Sequence, residues 1–573
     1  MTQTVDLVVR DGVVVDGDGG AVFEADIAVA DGRIVEIGKR LSVRGREEIS
    51  AKDRIVTPGF VDVHTHYDAQ TTWENRLQPS SLHGITTVVM GNCGVGFAPC
   101  RPDERQQLLR LMEGVEDIPH VVLDEGVPWK WQTFPEYFDF LSKRTYDIDF
   151  AGYVPHAALR LYVMGERACN MEAANSADLE QMDRILREAM RAGAMGFGTS
   201  RTIIHRSSDG QPTPTLAASE EELTVLANAV RQEGNGLMQF VSDWDDTDRR
   251  LAEFGRIAER TGCRISFALT QNHRMPEIWR PILDWVEEAN NGGKTIRVQV
   301  LPRPLGLLLG HELTLNPFYS TATYRSLADL SFEDRIRALR RPDIRERILD
   351  ENPDSDPANM LGLRVRAFDR LFVLNDPPDY EPRPEDSIAA EAGRRGVRPE
   401  ELAYDLLLER DGRNMLYQAI SNYADGSLDV VGAMLRRRDT IPGLGDGGAH
   451  LGSICDGTYS TFMLTHWARD RSRGERLPLP FVVKALSRDT AAAIGLNDRG
   501  RIAPGLRADL NVIDFDGLTL RAPKIVRDLP AGGRRLMQRA VGYDATIVNG
   551  AVTYRQGEPT GALPGRLLRR TNQ

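Results

Sequence analysis

Two imidazoles one residue apart, at the end of an apolar run, are the groups in this chain best placed by type and spacing to do chemistry. The run reads Thr57-Pro-Gly-Phe-Val-Asp-Val-His-Thr-His66. Successive side chains on a strand point to opposite faces, so His64 and His66 emerge together and Thr65 points away. Such a pair suits one borderline-soft cation, zinc before other divalent metals. A thiol follows at Cys93, within Gly91-Asn-Cys-Gly94, and a carboxylate at Asp446, within Gly443-Leu-Gly-Asp-Gly-Gly448. A thiolate can complete a zinc site, and a carboxylate beside a metal can move protons. Each has a plainer alternative. Cys93 could be a small buried packing residue, and Asp446 could cap a glycine-rich turn.

The elements that must position these groups alternate between strand-like and helix-like patterns. Strand candidates are Gly84–Met90, Phe150–Val154, Gly196–Ser200, Gly236–Val241, Arg264–Leu269, Ile296–Leu301 and Thr440–Asp446. Between them lie segments with 3.6-residue apolar periodicity, such as Asp178–Arg191. This alternation predicts an α/β fold with a parallel (β/α)8 barrel. On such a barrel His64, His66, Cys93 and Asp446 would all reach one rim. The first 56 residues are β-branched runs broken by Gly and Asp, and 490–573 repeats that pattern with an Asn549-Gly550 hairpin signal. The two ends are expected to pair as one small β-domain, leaving 57–489 for the barrel. Residues 310–414, rich in charge and proline, are too long for a barrel connection and are read as a helical insertion over its mouth.

Composition narrows the function. A chain of 573 residues exceeds one compact core, and a net charge of −12 argues against nucleic acid or an anionic membrane as partner. No apolar run approaches the ~20 residues that span a bilayer. The start, Met1-Thr-Gln-Thr-Val-Asp, has neither a basic region nor an apolar core for export. Five scattered cysteines form no paired framework, so a cytoplasmic enzyme with a small-molecule substrate is expected.

Four motifs carry a resemblance: Pro58–His66, Gly84-Ile-Thr-Thr-Val-Val-Met-Gly-Asn-Cys-Gly94, Gly443–Gly448 and Gly500-Arg-Ile-Ala-Pro-Gly-Leu-Arg-Ala-Asp-Leu510. Together they resemble the amidohydrolase superfamily, in particular its N-acyl-D-amino-acid deacylase (D-aminoacylase) branch. The Gly-Asn-Cys-Gly segment is the most discriminating, because most members place a carboxylated lysine where this branch has cysteine. The resemblance implies a (β/α)8 barrel with an N- plus C-terminal β-sandwich. It implies metal ligation by His64, His66, Cys93 and Asp446, with Asp446 as general acid and base. It also makes a homo-oligomer a common assembly.

The chain departs from that branch at several points. Two further family histidines align with Val241 and Phe267, neither able to bind a metal. A family lysine falls at Leu269, the strand-seven Asp-x-Tyr-Pro-Tyr falls at Gln299-Val-Leu-Pro-Arg303, and an arginine falls at Gly457. Those residues ordinarily clamp a substrate carboxylate by charge-assisted hydrogen bonds. One zinc per chain is therefore expected, and a substrate other than an N-acyl-D-amino acid. His156, His205, His273, Arg303 and His450 remain candidates for substrate contact or substitute ligation, with Gln239 and Asp243 also near strand ends. Phe240, Trp244, Phe267, Leu269 and Leu301 suggest an apolar mouth and a hydrophobic or aromatic substrate. The reading is a metal-dependent hydrolase of a non-peptide amide. The same apparatus would serve an esterase, lactonase or carbamate hydrolase, and a barrel that binds without turnover is a third alternative.

Overall fold

The computed structural model describes residues 4–351 and 365–570. The first three residues of the start examined for an export signal, 352–364 of the expected insertion and 571–573 lie outside the described residues.

The fold is mixed α/β, and its central strands are parallel. Phe60–Asp62, Ile85–Met90 and Asp149–Gly152 pair in that order. Val154–Pro155, Gly196–Arg201, Leu237–Ser242, Arg264–Leu269, Ile296–Val300 and Thr440–Pro442 form a second parallel run. Thr65 bridges Gly447 in parallel, joining the extension of the first strand to that of the last. These strands are almost wholly buried, which is why they read as continuous apolar runs with few polar interruptions. The last strand ends at Pro442, earlier than its glycine-rich sequence suggests, and Asp446 stands in the turn beyond it.

Helices follow from capping and periodicity. Ser176–Arg191 starts at Asn175, whose side chain accepts from Asp178 N (3.0 Å) while Asp178 accepts from Asn175 N (2.9 Å). Its Leu179, Met182, Leu186 and Met190 repeat at helical spacing and are buried.

The chain ends share a nine-stranded sheet in which Leu510–Ile513 pairs with Ile55–Pro58, and Ile55–Pro58 with Thr4–Val14. Its core holds Leu7, Ile27, Val56, Leu510 and Ile547. The boundary at 490 falls differently in space. Ala491, Ala493 and Ile494 pack with Val61, Val63 and Ile441 of the parallel strands. Residues 310–414 are more than helical. Leu371–Val373 lies within them and pairs with Leu416–Ser421, which also pairs with Leu305–Leu309, and this antiparallel sheet has its own core around Phe318, Leu339, Ile348 and Tyr404. The short strands there were missed because apolar residues in a proline-rich segment carry little period-two signal.

Candidate metal centre

His64 and His66 follow the strand Phe60–Asp62, where Asp62 accepts from His64 N (3.1 Å) and Thr65 N donates to Val89 O (3.0 Å). His66 N donates to Gly447 O (2.8 Å), and Asp446 N to His64 O (3.2 Å). The last turn is thereby stitched onto the first strand, bringing Asp446 to the two imidazoles. Cys93 lies in the turn after Ile85–Met90 with φ +55°, reached through Gly91 at φ +81°. Only glycine fits at 91, because a β-carbon there would meet Tyr153 O at 2.3 Å. Asp68 accepts from Gly91 N (3.0 Å), and Gln239 accepts from Cys93 N (3.1 Å), so the turn is held on both sides.

The donors converge. Ligand atoms of His64, His66 and Cys93 all lie within 4.8 Å of one another, and all three residues are buried. His64 Nε2 is 3.4 Å from Cys93 Sγ. Asp446 Oδ1 is 3.4 Å from His64 Nε2 and 3.5 Å from His66 Nε2. Zinc–nitrogen, zinc–oxygen and zinc–sulfur lengths in a tetrahedral site put neighbouring donors roughly 3.4–3.6 Å apart, so these spacings fit one such ion. Two further observations agree with a cation. Asp446 Oδ1 is buried with no hydrogen-bond partner. Burial, with Glu116, Asp446 and Asp68 nearby, pushes the Cys93 thiol well above its ordinary value, so its thiolate needs a positive charge beside it. Burial also lowers the His66 imidazole to about 4, leaving it neutral and able to ligate. Burial opposes ionisation of Asp446, but the His66 contact and the neighbouring imidazoles outweigh it and hold the carboxyl below the usual range.

Partners outside the donor set fix the rings. Gln299 Oε1 is 2.6 Å from His64 Nδ1, and Gln299 Nε2 donates to Ser266 Oγ (2.9 Å). An acceptor at Nδ1 keeps the proton there and turns the Nε2 lone pair toward Cys93 and Asp446. Glu116, the last residue of the helix Arg105–Glu116, brings Oε1 to 3.2 Å from His66 Nδ1 and Oε2 to 3.7 Å from His450 Nε2. Glu116 was not among the residues singled out from sequence. Its signal was a carboxylate on the buried stripe of that helix, four residues after Met112 and seven after Leu109. Gln299 carried a similar one, as a polar residue on an inner strand position.

The other candidates divide. His450, at φ +51°, stands 4.0 Å from Asp446 Oδ2 beside the cluster. His205 is half-buried with Nδ1 2.9 Å from Ser200 Oγ. Burial and the nearby imidazoles of His66, His450 and His64 lower it to about 3. His273 lies half-buried in the loop after Arg264–Leu269, outside the donor cluster. Two candidates prove to be engaged elsewhere. His156 is fully buried, with Nδ1 2.8 Å from Thr199 Oγ1 and Nε2 2.7 Å from Glu222 Oε1. Thr199 pairs with Phe240 across the sheet, one residue out of step with Gln239, so His156 belongs to the layer between strands and helices. Arg303 is buried against Asp456 (2.5 Å), donates to Thr458 Oγ1 (3.1 Å) and lies 3.8 Å from the ring centre of Tyr380. As a candidate for substrate contact, Arg303 is therefore already paired, with Asp456 of the segment after the last strand. Asp243 accepts from Thr202 Oγ1 (2.5 Å) and Ile203 N (2.8 Å) and holds that loop.

The aligned ligand positions differ from each other in space. Val241 shares the inner face with Gln239. Phe267 instead stacks on Phe240 (5.0 Å), which stacks on Phe254 of the helix Thr247–Thr261 (3.7 Å). Phe240 and Phe267 thus face the helix layer, which corrects their expected place at an apolar mouth. The inner positions beside Phe267 are Ser266 and Ala268.

The amidohydrolase family model matches residues 47–554. The D-aminoacylase of Alcaligenes xylosoxydans xylosoxydans is 26% identical over all of this chain and 99% of its own length. A crystal structure of D-aminoacylase, described as defining a novel subset of amidohydrolases, superposes with a TM-score of 0.65 at 22% identity, covering 99% of this chain and 100% of that one. The N-acyl-D-glutamate deacylase of Bordetella bronchiseptica, solved with zinc and a phosphonate inhibitor, gives 0.65 at 23% identity over 99% and 100%. Among the described residues no helix is long and apolar enough to cross a membrane. The chain belongs to the amidohydrolase family, is similar to D-aminoacylases, and is a hydrolase of carbon–nitrogen bonds other than peptide bonds.

Proposed function

We propose that this protein hydrolyses a small-molecule amide at a single zinc ion held by His64, His66, Cys93 and Asp446, in a (β/α)8 barrel. The observation that carries the reading is the convergence of three buried donors within 4.8 Å, with the orphaned Asp446 Oδ1 at 3.4 and 3.5 Å from two of them. The barrel is supported by the two parallel runs, continuous at Gly152–Val154 and bridged at Thr65–Gly447. The composite end-domain is supported by the shared nine-stranded sheet. A single ion is supported by the inner row Val241, Ala268 and Ser266, which offers no imidazole where a second site would need one. Five free cysteines support a reducing, cytoplasmic setting.

When bound, the ion polarises the scissile carbonyl and acidifies water. The chain supplies the rest. Gln299 holds the proton of His64 on Nδ1. Asp446, whose carboxyl lies below the usual range, takes a proton from the attacking water and returns it to the leaving nitrogen. His450 and His205, at the edge of the cluster, orient the substrate. The substrate is an acylated amine that does not depend on a carboxylate clamp, because Arg303 is paired with Asp456 and Arg201 with Glu253 (3.3 Å).

Elemental analysis tests the reading. Wild-type protein should carry about one zinc per chain, and His64→Ala/His66→Ala protein none. Asp446→Asn should retain fold and lose ~10²–10⁴ in kcat on any amide that the wild type cleaves. Absence of metal from reconstituted wild type, or two ions per chain, would refute the one-metal site.

A further inference from the structure

Glu116 makes contacts that the proposed chemistry does not use. It is 2% exposed, at the end of the helix Arg105–Glu116, and it touches both sides of the centre. Its carboxylate reaches His66 Nδ1 at 3.2 Å and His450 Nε2 at 3.7 Å, and its main-chain oxygen accepts from His450 N at 2.5 Å. We propose that Glu116 is a positioning residue, a carboxylate that fixes His66 with Nε2 toward the metal and braces the Asp446–His450 turn against the first strand. The inference rests on the metal-site reading above.

Three observations carry it. First, His66 Nδ1 and Glu116 Oε1 are both buried and neither has an aligned hydrogen-bond partner, although they face each other at 3.2 Å. Two unpaired buried atoms at that separation close into a bond with a small rotation of the ring, and drawing Nε2 onto a cation supplies that rotation. Second, the two imidazoles are held by unlike partners. His64 has the neutral carboxamide of Gln299, and His66 has a carboxylate. Burial, with Asp446 and Asp68 nearby, pushes the Glu116 carboxyl well above its ordinary value, so it is a carboxylate only beside the positive charge of an occupied centre, and in that form it raises the basicity of the ligating nitrogen more than a carboxamide does. Third, the next residue continues the brace. Asp117, at φ +51°, accepts from Ser453 Oγ (2.7 Å) and from Thr314 Oγ1 (3.2 Å). The helix end thus ties the first strand, the last turn and the segment after residue 310 at one point.

The test uses full-length wild type, Glu116→Leu and Glu116→Gln. Zinc affinity is read by chelator competition, and ligand geometry by the visible spectrum of the cobalt-substituted protein. The main-chain bond to His450 survives both substitutions. Glu116→Leu should weaken zinc binding by about 10–100-fold and shift the cobalt bands. Glu116→Gln keeps an acceptor but loses the charge, so its loss should be smaller and its bands intermediate. Either variant, folded and with wild-type affinity and spectrum, overturns the proposal, and Glu116→Gln decides it if the leucine variant does not fold. Wild type that binds no metal removes the metal-site reading and this proposal together. Tight wild-type binding with unaltered variants removes the proposal alone.

Discussion

The buried pair Arg303–Asp456 separates a structural brace from a substrate clamp, and substitution resolves the two. Arg303 is 1% exposed and Asp456 1%, with a 2.5 Å contact between them. Gly306 N also donates to Asp456 (3.3 Å), and the guanidinium lies over Tyr380 at 3.8 Å. Asp456→Leu leaves a guanidinium in an apolar setting without its counter-charge, which costs about 3–5 kcal/mol. Whole-protein stabilities are typically ~5–15 kcal/mol, so a loss of that size is large. Arg303→Met leaves a buried carboxylate and should cost a comparable amount. The double variant Arg303→Met/Asp456→Leu removes both charges and should lie within about 1–2 kcal/mol of wild type, because desolvation of the pair offsets most of its attraction. Urea denaturation of the four proteins measures this cycle, alongside kcat and KM on a cleaved amide. Single variants costing under ~1 kcal/mol, with KM raised and the effect not relieved in the double variant, would refute the reasoning and return Arg303 to the substrate.

Three further outcomes follow from the geometry. Gln299→Leu should leave the His64 Nδ1 proton buried and unpaired and weaken zinc binding by about 10–100-fold, or ~1.4–2.7 kcal/mol; an unchanged dissociation constant in chelator competition would count against ring orientation by Gln299. Gly91→Ala, with a β-carbon 2.3 Å from Tyr153 O at φ +81°, should cost at least ~1–2 kcal/mol and displace Cys93, seen as lower melting temperature and altered cobalt–thiolate absorption. His83 is fully buried, with Nδ1 2.8 Å from Thr461 Oγ1 and Nε2 2.9 Å from Gln538 O, and burial lowers it to about 4. The unfolded chain therefore takes up a proton near pH 6.5 that the folded chain refuses until about pH 4. The contribution of His83 to stability is full above pH 6.5 and falls away between those values, by about 3 kcal/mol. Denaturation free energies between pH 7.5 and 4 should decline less steeply in His83→Asn, and parallel curves would exclude His83 as the source.

The amino-acid sequence by itself determined the parts of the molecule set by local pattern. Continuous apolar runs can only be buried parallel strands or core helices, and their lengths and glycine flanks place the central strands within a few residues. The spacing of His64 and His66 puts both rings on one face whatever surrounds them. Cys93 in Gly91-Asn-Cys-Gly94 and Asp446 in its glycine-rich turn were legible as donors through the resemblance those motifs carry and the strand ends they follow. Tertiary structure decided what those groups meet. Whether a strand residue faces the centre or the helices depends on register, and a one-residue step sends Phe267 to Phe240 and Ser266 to Gln299. Arg303 was legible as a cation near a strand end, but its counter-charge lies 153 residues away in sequence. Glu116 reaches His66 across 50 positions, from the end of a helix whose pattern alone says only that one carboxylate is on the wrong face. Local pattern fixes the direction in which a side chain leaves its own element, whereas pairing of buried charges and hydrogen bonds is a property of elements brought together by packing, and no spacing along the chain encodes it.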